Sequence, residues 1–271
     1  MTGRNYLFAA TQDDVALTRF IATAQQATGF MKGAPGGALP GWHQMGQDNS
    51  AFLDKLHAHL AASYPQAGPP LYAVRLWTNL TWQPAYLSVI AVHLHGALPQ
   101  VTRLSQAQRG IYVDGYRLAA GPQYRDSLEA MIARAGADLR AFADTIFAEV
   151  NGVVGLKRLP ALHLLTERML DLMVRLGHFQ PHLGVAEQRY FCGLWLEAMG
   201  LTGLGDLEVI DLPGGRQAAI VARKGCCLDY LITPDRLCAS CPRQKKAVRI
   251  ARQRDNALAE LEMREGNGPG A

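Results

Sequence analysis

A chain of 271 residues, 49% of them hydrophobic, is long enough for one large domain or two smaller ones and too apolar to be disordered. Its formal charge of +4 is mild and its basic residues are spread along most of the chain, which argues against nucleic acid as a partner. No segment reads as transmembrane: the most apolar candidate, Ala85–Leu98, is too short to span a bilayer and carries His93 and His95.

The start, with one charge and a short apolar run at Tyr6–Ala10, does not read as a secretory signal, so the expected compartment is the cytoplasm. The spacing then predicts a helix over Asp13–Thr28, with Val15, Leu17, Phe20, Ile21 and Ala24 on one face and Thr11 as N-cap. Gly33–Gly41 reads as a loop, Asn49–Tyr64 as a helix, and Gly68–Pro70 as a break. A helix over Pro84–Leu98 follows, with Pro84 in its first turn. Ile111–Val113 and Tyr116–Ala119 read as a hairpin turning at Asp114–Gly115. Tyr124–Val150 is a long helix with a break suggested at Gly136, and Pro160–Leu176 and Val185–Met199 are two more.

Near Gly203 the character changes. Leu207–Leu212 and Arg216–Ala222 read as strands joined by Pro213–Gly215, with Cys227–Ile232 as a third. After Cys241 a basic helix runs to about Arg264, then a Gly/Pro-rich end. The expected fold class is α+β. Residues 1–202 form a mostly helical body with a small antiparallel sheet. Residues 203–271 form a C-terminal module too short to carry its own core, which therefore packs on the body.

Four of the five cysteines, Cys226, Cys227, Cys238 and Cys241, fall within sixteen residues. In a reducing compartment such a cluster points to metal and not to disulfides. Four thiolates suit a [2Fe–2S] or [4Fe–4S] cluster, and the Cys238-Ala239-Ser240-Cys241 half is equally at home in a zinc knuckle. The adjacent pair Cys226-Cys227 discriminates, because neighbouring side chains in a strand point to opposite faces. Both reach one centre only if the chain bends, and Gly225 is placed to supply the bend.

Cys-Cys-x10-Cys-x2-Cys near the C-terminus resembles the ferric-siderophore reductase family (FhuF-like). The match covers about residues 223–242, including Lys224–Tyr230 and Leu237–Pro242. The resemblance implies a [2Fe–2S] cluster on Cys226, Cys227, Cys238 and Cys241. It also implies an oxidoreductase that reduces siderophore-bound Fe³⁺ and releases Fe²⁺ in the cytoplasm. A ferredoxin or a flavin- or NAD(P)H-dependent reductase would supply the electron, and a peripheral contact with the inner membrane is compatible with the basic tail. Two other readings stand beside it: an iron–sulfur electron carrier or redox sensor without a siderophore substrate, and a structural-zinc interaction protein.

Backbone N–H groups of residues 239–241 and the Ser240 hydroxyl are expected donors to sulfur. Arg236, Arg243, Lys245, Lys246, Arg249, Arg252 and Arg254, uninterrupted by acid, read either as a docking face or as a solvated helix face. Cys192 reads as a buried inert thiol, and Trp77, Trp82 and Tyr86 as core or as a pocket wall. The pairs His57/His59 and His93/His95 are spaced wrongly for shared helical ligation, while His178 and His182 flank Pro181 in a loop.

Overall fold

A computed structural model describes residues 11–177, 179–180 and 183–266. The apolar run at Tyr6–Ala10, the His178/His182 pair and the Gly/Pro-rich end lie outside the described residues. The fold is α+β: among the described residues it has seven α-helices, a four-stranded mixed sheet and a two-stranded hairpin.

Helix α1 (Gln12–Thr28) begins at Thr11, whose hydroxyl accepts from the Asp14 backbone while the Asp14 carboxylate accepts from the Thr11 backbone. This capping box satisfies two amide groups that the first turn leaves open. Leu17, Phe20, Ile21 and Ala24 are its buried face. Gly33–Pro35, expected as loop, is strand β1; it pairs in parallel with β4 (Tyr112–Leu118). Gly33 permits that pairing, because a Cβ there would meet the Tyr116 ring within 2.3 Å. Strand β2 is His43–Gln44, and helix α2 is Ser50–Ser63.

The expected helix from Pro84 is the second half of a longer one. Helix α3 (Pro69–Ile90) starts at Pro69 and Pro70, where rings suit the first turn, after a Gly68 of positive φ. It passes through Pro84 and ends in a π-helical turn, Ala91–His95. Pro84 has no N–H to offer the Leu80 carbonyl. Buried Gln106 from β3 (Ser105–Arg109) supplies one instead, donating from Nε2 to Leu80 O at 3.1 Å and to Gln83 Oε1 at 2.9 Å.

The hairpin turn also moves. It sits at Gly110–Ile111, and Asp114–Gly115 lies inside β4, where the register shifts between Gln106 and Gln108. Gly110 takes φ 60° at the turn, and Gly115 φ 98° within the irregular strand. An Asp-Gly pair thus serves a bulge here and not the turn. The sheet order is β1-β4-β3-β2, so it is mixed and not purely antiparallel.

Helix α4 (Leu128–Val153) runs unbroken through Gly136. A Cβ there would meet Ala198 Cβ at 2.5 Å, so the glycine serves the crossing with α6 (Val185–Ala198) and not a kink. Helix α5 is Arg158–Leu176, and α3 packs against both α4 and α5. Trp77 is fully buried and donates to Ala161 O at 2.8 Å, binding α3 to α5. Trp82 donates to Val113 O at 3.1 Å and holds β4 against α3. Trp77 and Tyr86 are core, and Trp82 packs against its edge.

Strands β5 (Leu207–Leu212) and β6 (Arg216–Val221) form an antiparallel hairpin in full register. Leu207, Ala219 and Val221 join the main core; Ile210, Leu212 and Ile220 form a small second cluster under α7 (Lys246–Gly266). Burial on both sides seats the hairpin on α5 and gives α7 its apolar footing. Among the described residues no helix is long and apolar enough to cross a membrane.

Candidate metal centre

The chain leaves β6 at Val221 and runs against α5. Residues 222–228 form no strand, and Asp229–Leu231 is a single 3-10 turn, where a third strand was expected. What fixes the segment is Glu167 on α5. Its carboxylate, 3% exposed, accepts from Arg223 Nε at 3.1 Å, the Lys224 backbone at 2.5 Å and the Gly225 backbone at 2.6 Å. A buried carboxylate is tolerated when a cation and several N–H groups meet it, as here. Gly225 is required for contact with α5: an added Cβ would lie 3.1 Å from Leu164 Cγ and from Glu167 Oε2, and 3.2 Å from His163 Cβ.

The bend expected at Gly225 falls at Leu228, which has φ 62° and is the non-glycine residue of positive φ among the described residues. An L side chain there costs roughly 1–2 kcal/mol, and such strain concentrates where function needs it. The reversed backbone turns the Leu228 N–H towards Cys226 Sγ and the Asp229 N–H towards Cys227 Sγ. Both sulfurs of the adjacent pair thereby gain a backbone donor.

The second half is a tight turn: Cys241 N–H donates to Cys238 O at 3.0 Å. The expected donors at 239–241 are therefore partly spent, and the Ser240 hydroxyl accepts from Arg223 Nη1 at 3.2 Å. The same Nη1 lies 4.0 Å from Cys238 Sγ. One guanidinium thus touches the Cys238–Cys241 turn while its Nε holds Glu167.

The four thiols form a closed ring of neighbours. Cys226 feels the charges of Cys227 and Cys241, Cys227 is hydrogen-bonded to Cys238, and Cys238 feels Cys241. The bond from Cys238 draws the Cys227 thiol down to about 6, and pushes the donor Cys238 up. Burial raises Cys226. Cys241 is buried, Cys226 and Cys227 are half-buried, and Cys238 is exposed, so the ring is shielded on one side and open on the other.

Among the described residues, no group of three or more His, Cys, Asp or Glu side chains is arranged to hold a metal ion. The donor set suits a two-iron centre, in which four thiolates are shared between two irons. Of its sulfurs, those of Cys227 and Cys238 are hydrogen-bonded to each other. No family model matches the chain, and no solved structure matches it.

Other sequence candidates settle into structural roles. Cys192 is 3% exposed on α6 and its thiol is pushed up to about 12 by burial, then by Asp206. His93 accepts from Trp195 Nε1 at 3.0 Å, His95 bonds Gln123 at 2.8 Å, and His59 bonds Gly110 O at 3.1 Å. The basic run divides. Arg249 is turned inward, to Glu208 at 2.9 Å and Arg223 O at 3.1 Å. Lys246 pairs with Glu208 at 3.6 Å, and Arg243 stacks 4.1 Å over the Tyr230 ring. Arg236 and Arg252 line a cleft beside Cys238.

Glu167 and Arg223 escape sequence reasoning. A Glu within an amphipathic helix and an Arg after a strand are unremarkable singly. The one local signal is Gly225: a glycine immediately before two cysteines implies a close backbone approach, without saying to what.

Proposed function

We propose that this protein is a ferric-siderophore reductase of the cytoplasm, and that Cys226, Cys227, Cys238 and Cys241 hold a [2Fe–2S] cluster. The observation that carries the reading is the set of four neighbouring thiols, open to solvent at Cys238 and anchored to the helical body through Glu167. When bound, the cluster supplies single electrons, and Fe³⁺ held by the hard oxygens of a siderophore becomes Fe²⁺, which those oxygens hold far more weakly.

The protein's own residues have three tasks in this scheme. Leu228 and Asp229 direct N–H groups at two sulfurs, and Arg223 sets a positive charge beside a third; both tune the potential upwards by favouring the added negative charge. Glu167 fixes the position of Arg223 and of the loop, so these donors do not reorganise when charge arrives. Exposed Cys238 leaves a face for a chelate and for an electron donor such as a ferredoxin or a flavin- or NAD(P)H-dependent reductase. The chemistry breaks no bond of the siderophore, so a general acid or base is not required.

The test is anaerobic purification followed by visible and EPR spectra before and after dithionite, then titration of the reduced protein with ferric chelates. A coloured protein, EPR-silent when oxidised and EPR-active when reduced, with saturable oxidation by ferric siderophores, is the expected result. Each Cys→Ser variant of the four should lose or alter the spectrum, while Cys192→Ser should not. A colourless zinc protein overturns the reading. A coloured protein indifferent to every chelate makes it an electron carrier.

A further inference from the structure

Cys238 lies where two clefts meet, separated by the Arg75–Asp229 ion pair at 2.6 Å. The two differ in charge. The first, beside α5, carries Arg75, Arg168 and Arg223 against Glu167, Asp171 and Asp229, and is balanced. The second, about 430 Å³, lies between α3, the loop before Cys238 and α7. Arg75, Arg236 and Arg252 line it, against Asp229 alone. Arg75 reaches the cleft with its guanidinium, whose Nη2 engages Asp229. Arg252 is braced by Gln244 at 2.7 Å, which fixes its direction at low entropic cost.

Resting on the function proposed above, we infer that this second cleft docks a ferric chelate bearing ionised carboxylates, of the α-hydroxycarboxylate class. Planar guanidinium groups pair with carboxylates in two-point contacts, which a neutral hydroxamate cannot return. A concave site of this volume accepts a small chelate, whereas a protein partner needs a broader surface. Cys238 in the cleft wall puts the chelated iron next to the exposed end of the thiol ring. The acquired electron reduces Fe³⁺ to Fe²⁺; the carboxylates stay on the arginines, and nothing else is transferred.

Gallium(III) citrate tests docking without redox chemistry. Calorimetric titration of the anaerobically purified protein should show saturable binding that weakens with salt. The Arg236→Gln/Arg252→Gln double variant should bind about tenfold or more weakly. Arg254→Gln, on α7 but outside the cleft, should bind like the parent. A neutral gallium trihydroxamate should bind the parent and double variant alike. The inference fails if gallium citrate does not bind or if metal-free citrate binds as tightly. It fails also if Arg254→Gln matches the double variant, or if that variant loses nothing. The cluster's absorption and EPR, read on the same samples, report separately on the function proposed above.

Discussion

Glu167 and Arg223, fifty-six residues apart in the chain, meet at 3.1 Å with the carboxylate almost wholly buried. The contact joins the middle of α5 to the last residues before the cysteine pair. It is the point at which the helical body specifies where the cysteines stand.

Removing the carboxylate should cost more than one hydrogen bond. Glu167→Ala leaves a half-buried guanidinium and two backbone N–H groups without their acceptor. Breaking such a pair from one side costs about 3–5 kcal/mol. Chemical denaturation should show the midpoint falling with the slope unchanged. Glu167→Gln retains an acceptor for the amides and should lose less.

The charge of Arg223 predicts an effect on potential separable from stability. In cluster-loaded protein, Arg223→Gln should lower the midpoint potential, since a cation 4.0 Å from Cys238 Sγ no longer favours the reduced state. Arg223→Lys keeps the charge and should move it less. Ser240→Ala should have the smallest effect, because the hydroxyl's contact is with Arg223. Voltammetry that gives one potential for all of them would remove Arg223 from this role.

Gly225→Ala puts a methyl at 3.1 Å from Leu164 Cγ and Glu167 Oε2, with a fixed helix behind it. Overpacking of this kind costs about 1–3 kcal/mol, and here it lifts the ligand loop off α5. A lower melting temperature together with a perturbed visible spectrum is expected; a melt shift with an unchanged spectrum would mean that the loop position does not matter to the ligands.

Acid should act through His93. Trp195 Nε1 donates to its Nε2, so the native imidazole is neutral, and burial holds it down to about 4. Unfolded histidine titrates near 6.5, so between those values the unfolded chain binds a proton that the native one refuses. The stability from neutral His93 is full above pH 6.5 and is lost as pH falls towards 4. It amounts to about 3 kcal/mol. Denaturation at pH 7.5 and 4.5 should show that loss in the parent and a smaller one in His93→Gln.

Much of the scaffold was legible because its signals are local. Thr11 with Asp14 marks a helix start, the period of Leu17, Phe20 and Ile21 marks its buried face, and Pro213–Gly215 marks the turn between β5 and β6. Misreadings came where a distant residue overrides a local rule. Pro84 reads as a helix start because the donor that replaces its missing N–H, Gln106, lies on another element. Asp114–Gly115 reads as a turn because a bulge wants the same residues. The cysteines announce a donor set through spacing alone. Their surroundings do not: Leu228 carries no sequence mark of a left-handed backbone, and the partners of Arg223 are set by the packing of β6 on α5.

The tether between α5 and the segment entering Cys226 is built wholly of protein atoms. Small zinc domains acquire their shape from the ion, and chelators unfold them. Here the cysteine segment is anchored to the helical body through Glu167, so under the function proposed above the protein should stay folded when the cluster is removed. Under that reading, loss of the cluster to oxygen should leave a folded apoprotein that can be recharged.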